Sequence, residues 1–177
     1  MEKHLIYHGP VNQRGVSNTE ILLLEAMKNG ATSIVLHICS NGGDVTAGLG
    51  LYNFIRSLPV RVDTHAFGLC GSIAATIFLA GETRTSVRAN AFSLHAASFS
   101  NGPLAGQISP NTDLIAQPFK ERSEWDEALI QHYFADVTDK RILPDEAQAL
   151  RIVHSVQEIH LPPNADQVKI VSIPADE

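Results

Sequence analysis

The sequence predicts an α/β protein built on a mostly parallel sheet, and three observations carry that expectation. Residues 33–39 form a near-continuous apolar run of strand length that reads as a strand buried on both faces, the habit of parallel sheets, and residues 60–66 read as a second long strand. Each is followed by a helical stretch, 44–57 and 73–80, so the order implies right-handed βαβ units. The junctions Ser40-Asn-Gly-Gly-Asp44 and Gly68-Leu-Cys-Gly-Ser72 then fall at the carboxyl ends of the strands, where sites in such sheets lie.

In chain order, His4 to Tyr7 reads as a first strand closed by Gly9-Pro10. Ser17-Asn-Thr-Glu20 has the form of a capping box and predicts a helix from Ile21 to Asn29-Gly30. His37, inside the first long run, reads as a hydrogen-bonded core residue. Asp44 is placed to cap the second helix. The second long run is expected to break at Gly68 and Gly71 before a short helix over 73–80. Residues 83–88 and 91–95 read as two strands joined by a tight Ala89-Asn90 turn. In the latter, alternation puts Phe92 and Leu94 on one side and Ser93 and His95 on the other. Residues 96–112 are a loop, and 118–134 are expected to form one long amphipathic helix containing Trp125. Polar connection over 136–142, a helix over 144–150 and strands over 155–159 and 168–173 complete the chain.

At 177 residues, 44% apolar and 18% charged, the chain reads as one domain over 1–177, with a core of about 5–156 and a C-terminal strand extension over 157–177. A net charge of −6 with scattered basic residues argues against nucleic-acid binding. No Cys-x-x-Cys spacing occurs, and no metal or cofactor is expected. Cys39 and Cys70 read as small core residues in a reducing compartment. The N-terminus carries no apolar leader, and the run 73–80 is too short to cross a bilayer. The expectation is a soluble cytoplasmic protein without membrane contact.

Ser72 is the residue that points to chemistry. A serine between a strand and a helix has its oxygen beside unpaired backbone N–H groups, and the glycines before it permit a sharp turn. Serine is also an ordinary helix N-cap, and Cys70-Gly-Ser-Ile-Ala74 is not the Gly-x-Ser-x-Gly elbow. The Gly42-Gly43 turn is able to present N–H groups to a substrate oxygen.

Together, Ser40-Asn-Gly-Gly-Asp-Val-Thr-Ala-Gly48, Gly68-Leu-Cys-Gly-Ser-Ile-Ala-Ala75 and Phe92-Ser-Leu-His95 resemble the proteolytic subunit of the Clp protease (ClpP). The resemblance spans roughly residues 5–156. It implies a ClpP/crotonase-like fold of repeated ββα/βαβ units with a mostly parallel sheet and a protruding long helix. It also implies a serine endopeptidase with Ser72 as nucleophile, His95 as general base, and the N–H groups of Gly43 and Ile73 as oxyanion hole. Counted back from Asp145-Glu-Ala147, the orienting carboxylate falls on Asp139, with Asp136 as the alternative. The implied substrate is a peptide or unfolded protein, held within a ring-like homo-oligomer.

The chain departs from the family pattern in four places. Set beside the family, the segment forming the axial entrance loops is expected to be absent ahead of the first strand, and the stretch before Asp139 to be shortened. No stable coupling to a Clp-type ATPase is therefore expected. The loop 96–112 differs from the family's Gly-rich substrate strand. Arg151 stands where the family has glycine, so a different local turn is expected there, since non-glycine residues disfavour the left-handed cap. Ile130, Tyr133, Phe134 and Trp125 are expected to divide between the core and a subunit contact. Three other readings remain open at this stage: a Ser–Lys peptidase with Lys120 as base, a crotonase-type acyl-CoA enzyme, and a catalytically idle structural paralogue.

Overall fold

A computed structural model describes residues 1–173. Three parallel strands form its centre: β1 (Glu2–His8), β2 (Ser33–Ser40) and β3 (Arg61–Gly71). β2 is flanked on both sides and buried on both faces, as its near-continuous apolar run leads one to expect. The strands alternate with α1 (Gln13–Lys28), α2 (Val45–Ser57) and α3 (Ile73–Phe78). Leu5, Leu36, Leu51, Ile73, Phe78 and Phe92 are among the fully buried side chains of the core.

Helix α1 begins earlier than the Ser17 capping box predicts. Asn12 accepts a 2.8 Å hydrogen bond from Gly15 N and is the true cap, which leaves Ser17 inside the helix. Gly15 carries no Cβ because the Tyr7 hydroxyl fills that space. At α2 the expected cap is present, with Asp44 Oδ1 accepting from Ala47 N at 2.8 Å.

β3 does not break at Gly68; it runs on to Gly71. A Cβ at Gly68 would sit 2.5 Å from the Cys39 sulfur, so the glycine makes room for a neighbouring strand instead of a turn. β4 (Arg84–Ser86) and β5 (Phe92–Leu94) are not a hairpin. Both lie parallel against β3, at Thr64–Ala66 and at Cys70–Gly71 respectively. β3 is long enough to serve two short partners in succession, and its register with β2 shifts between Ile38 and Ser40.

The expected helix over 118–134 is two helices, α4 (Asn111–Ser123) and α5 (Glu127–Phe134). Glu124 adopts a left-handed φ of 57° and ends the first, and Asp126 caps the second through Leu129 N. Trp125 is anchored in the joint by donating from its indole to Leu150 O at 2.7 Å. Trp125, Ile130, Tyr133 and Phe134 are all buried against this chain's own core, contrary to the expected division. The connection over 136–142 contains β6 (Lys140–Ile142), antiparallel to β5.

After α6 (Pro144–Ala149), Arg151 takes the left-handed conformation at φ 59° that the sequence argued against. The backbone there is held from inside, since the buried Arg84 donates to Arg151 O at 3.0 Å and to Ile152 O at 2.8 Å. β7 (Ser155–Val156) pairs with β4. β8 (Val168–Ser172) then returns to pair in parallel with β1 at the sheet edge.

Candidate active site

Ser72 follows the last residue of β3 and precedes α3 with φ 52° and ψ −130°. An L-residue there carries strain of about 1–3 kcal/mol, which persists only when the surroundings enforce it. Three contacts do so. Ser72 N donates to Ser93 O at 2.7 Å, and Ser72 O accepts from Ala75 N at 3.0 Å. On the third side is Gly42, where an added Cβ would stand 2.7 Å from the Ser72 Cβ and 3.3 Å from Ile73 N. The serine side chain makes no cap bond, so the ordinary N-cap role is not the one it fills.

The neighbouring turn is fixed by parallel bridging between Val11 and Gly43. Val11 N donates to Gly42 O and Asp44 N to Val11 O, both at 2.8 Å. Gly42 and Gly43 have φ of 98° and 150°, and a Cβ on Gly43 would collide with Val11 O. Among the described residues no hydrogen bond engages the N–H of Gly43 or of Ile73. The structure thus brings Ser72, Ile73 and the Gly42-Gly43 turn together.

β5 supplies the next groups. Phe92 and Leu94 are buried and Ser93 and His95 face the other side, as the alternation predicts. His95 Nδ1 donates to Ala96 O at 2.7 Å, which leaves Nε2 as the acceptor nitrogen of the neutral ring. Asp139, just ahead of β6, accepts from Ser93 Oγ at 2.7 Å, and its Oδ1 lies 4.0 Å from His95 Nε2. It is near the imidazole but outside hydrogen-bond reach.

Asp136 and Lys120 are engaged elsewhere. Asp136 accepts from Thr138 N at 2.8 Å and Lys140 Nζ at 3.0 Å, which lower its pKa, while Ala96 N donates to its carbonyl. Lys120 Nζ donates to Glu127 at 2.8 Å across the α4–α5 joint. Burial pushes the Cys70 thiol up, so it is not a competing nucleophile. Among the described residues no cluster of three or more His, Cys, Asp or Glu is arranged to hold a metal ion, and no helix is long and apolar enough to cross a membrane.

Sequence reasoning missed Ser93, whose carbonyl and hydroxyl link the Ser72 backbone to Asp139. Its outward position in the alternation was the only available signal.

Residues 1–141 match the family described as Clp protease. The chain is 40% identical over 96 residues to the ATP-dependent Clp protease proteolytic subunit 2 of Borreliella burgdorferi, covering 54% of this chain and 46% of that one. It is 33% identical over 92 residues to the corresponding subunit of Bdellovibrio bacteriovorus, covering 51% and 43%. The matches therefore span less than half the length of these curated relatives. Among solved structures, an asparagine-to-aspartate mutant of ClpP1 from Listeria monocytogenes superposes with a TM-score of 0.79. That match covers 89% of this chain and 92% of the other at 23% identity, a likeness of fold.

Proposed function

The chain belongs to the Clp protease family, and from that premise we propose that it is a serine endopeptidase acting on peptides or unfolded protein. The observation that carries this reading is the enforced strain at Ser72, beside two backbone donors that no hydrogen bond engages among the described residues. Ser72 Oγ attacks the peptide carbonyl, and His95 Nε2 takes its proton. The bond from Nδ1 to Ala96 O holds the ring in the tautomer this requires. The N–H groups of Gly43 and Ile73 meet the developing oxyanion, an effect of roughly 3 kcal/mol per donor. Asp139, 4.0 Å from Nε2, supplies negative charge to the imidazolium that forms. Protonated His95 then returns its proton to the leaving amine, and water releases the acyl group by the same route.

Lys120, paired with Glu127 on another element, does not support a Ser–Lys mechanism. Assembly into a homo-oligomeric chamber belongs to the proposal. The aromatic residues of α5 are spent on the core, whereas Leu104, Ile108 and Leu114 are exposed and available to a neighbouring copy.

Hydrolysis of an unstructured fluorogenic peptide tests the assignment. Ser72→Ala and His95→Ala should each lose several orders of magnitude in kcat, and Lys120→Ala should lose none. Full turnover by Ser72→Ala overturns the reading, and loss confined to Lys120→Ala replaces its base.

A further inference from the structure

Ser93 occupies a position that neither packing nor strand formation explains. It is the middle residue of the three-residue β5, on the face away from the core, two places before His95. Its backbone oxygen accepts from Ser72 N at 2.7 Å, and its hydroxyl donates to Asp139 Oδ1 at 2.7 Å. It is paired across the strands with Arg141, and Ser93, Asp139 and Arg141 line one cleft of about 630 Å³.

Asp139 is short of other supports. Its side chain is 74% exposed, and among the described residues it makes a hydrogen bond with the Ser93 hydroxyl and a 4.0 Å contact with His95 Nε2. The nearby cation Lys140 is committed to Asp136. A carboxylate this exposed, on the residue before an edge strand, loses its preferred direction to water once its one short bond is removed.

We propose that Ser93 is a positioning residue that keeps the Asp139 carboxylate beside the His95 imidazole, 4.0 Å from Nε2, while its own backbone fixes Ser72. The inference rests on the triad reading above and adds the device that assembles it. Ser93 touches neither substrate nor the transferred proton; it acts through Asp139. One residue thereby sets the nucleophile's backbone through its carbonyl and the carboxylate's direction through its hydroxyl. Its carbonyl contact survives any side-chain change, so the hydroxyl contribution is separable from folding.

The test is a double-mutant cycle on Ser93→Ala and Asp139→Asn, with Ser93→Thr retaining the hydroxyl and Ser72→Ala as the inactive reference. The readouts are kcat and KM for an unstructured fluorogenic peptide and the pH profile of serine phosphonylation by a fluorophosphonate. Ser93→Ala should lower kcat roughly tenfold with KM within about twofold, since imidazolium stabilisation is lost and binding is not. The midpoint of the pH profile should move to lower pH, because a neighbouring carboxylate favours the protonated ring. Ser93→Thr should recover most of the rate, and Ser93→Ala should cost nothing further in the Asp139→Asn background. If Asp139→Asn is impaired while Ser93→Ala matches wild type, or if the two losses simply add, the inference fails and the triad stands. If Asp139→Asn is fully active while Ser72→Ala is dead, Asp139 is not the third member and the role of Ser93 falls with it.

Discussion

Replacing Gly42 with alanine probes the fit between the glycine turn and the serine elbow. Gly42 sits at φ 98°, and the added methyl would lie 2.7 Å from the Ser72 Cβ and 2.8 Å from Gly71 O. The backbone conformation alone costs about 1–2 kcal/mol for an L-residue. Steric overlap with a backbone oxygen adds about 1–3 kcal/mol, because neither the turn nor the elbow has a flexible end to yield. The sum is about 3 kcal/mol, or a fall in Tm of roughly 6–12 °C for a chain of this size. Gly30→Ala is the matched control: its φ is 78°, but nothing lies within 4 Å of the new methyl. It should lose only the backbone share, about 1–2 kcal/mol, or roughly 2–8 °C. Fluorophosphonate labelling of folded protein reads the second consequence. Displacing Ser72 by a fraction of an ångström should slow phosphonylation on the order of 100-fold in Gly42→Ala and leave Gly30→Ala unchanged. Equal melting temperatures and equal phosphonylation rates in the two variants would refute the proposed fit.

Two further predictions concern the sheet behind the site. His37 and His65 face each other on β2 and β3, and burial lowers their pKa values to about 3 and about 4. Both are therefore neutral when folded and bind protons when unfolded, so stability is full above about pH 6.5 and falls as pH drops toward the folded values. Between pH 5.5 and 4.5 the loss should be roughly 2–3 kcal/mol in urea titrations, and a flat profile there contradicts it. Arg84 is buried and donates to three carbonyls, Ile152 O, Arg122 O and Arg151 O, at 2.8–3.0 Å. Arg84→Met should cost about 3–5 kcal/mol by stranding those acceptors, and a change below about 1 kcal/mol would count against it.

Much of this was legible in the chain because it rests on local rules. The near-continuous apolar run at Ile34–Ile38 and the strand-length stretch at Val62–Ala66 pointed to the central parallel strands, and Asp44 read correctly as a cap. The fold class and the family resemblance followed from the residues around Gly43, Ser72 and His95. What escaped depends on groups distant in sequence. Asn12 outcompeted the Ser17 box, and the Tyr7 hydroxyl, from another element, demands glycine at 15. Gly68 resembles a breaker until Cys39 is seen filling its space. A left-handed Glu124 divides an otherwise continuous helical pattern, and Arg151 accepts the same conformation because Arg84 holds the carbonyls around it. β6 is only three residues long, too short for alternation to show.

The central claim is that the elbow at Ser72 makes that hydroxyl nucleophilic. Treating the folded protein at neutral pH with a fluorophosphonate, followed by digestion and mass spectrometry, tests this directly. The account predicts a single adduct on Ser72 that is absent after prior denaturation and lost in His95→Ala. A folded protein that takes up no label, or one labelled on other serines in place of Ser72, would contradict it.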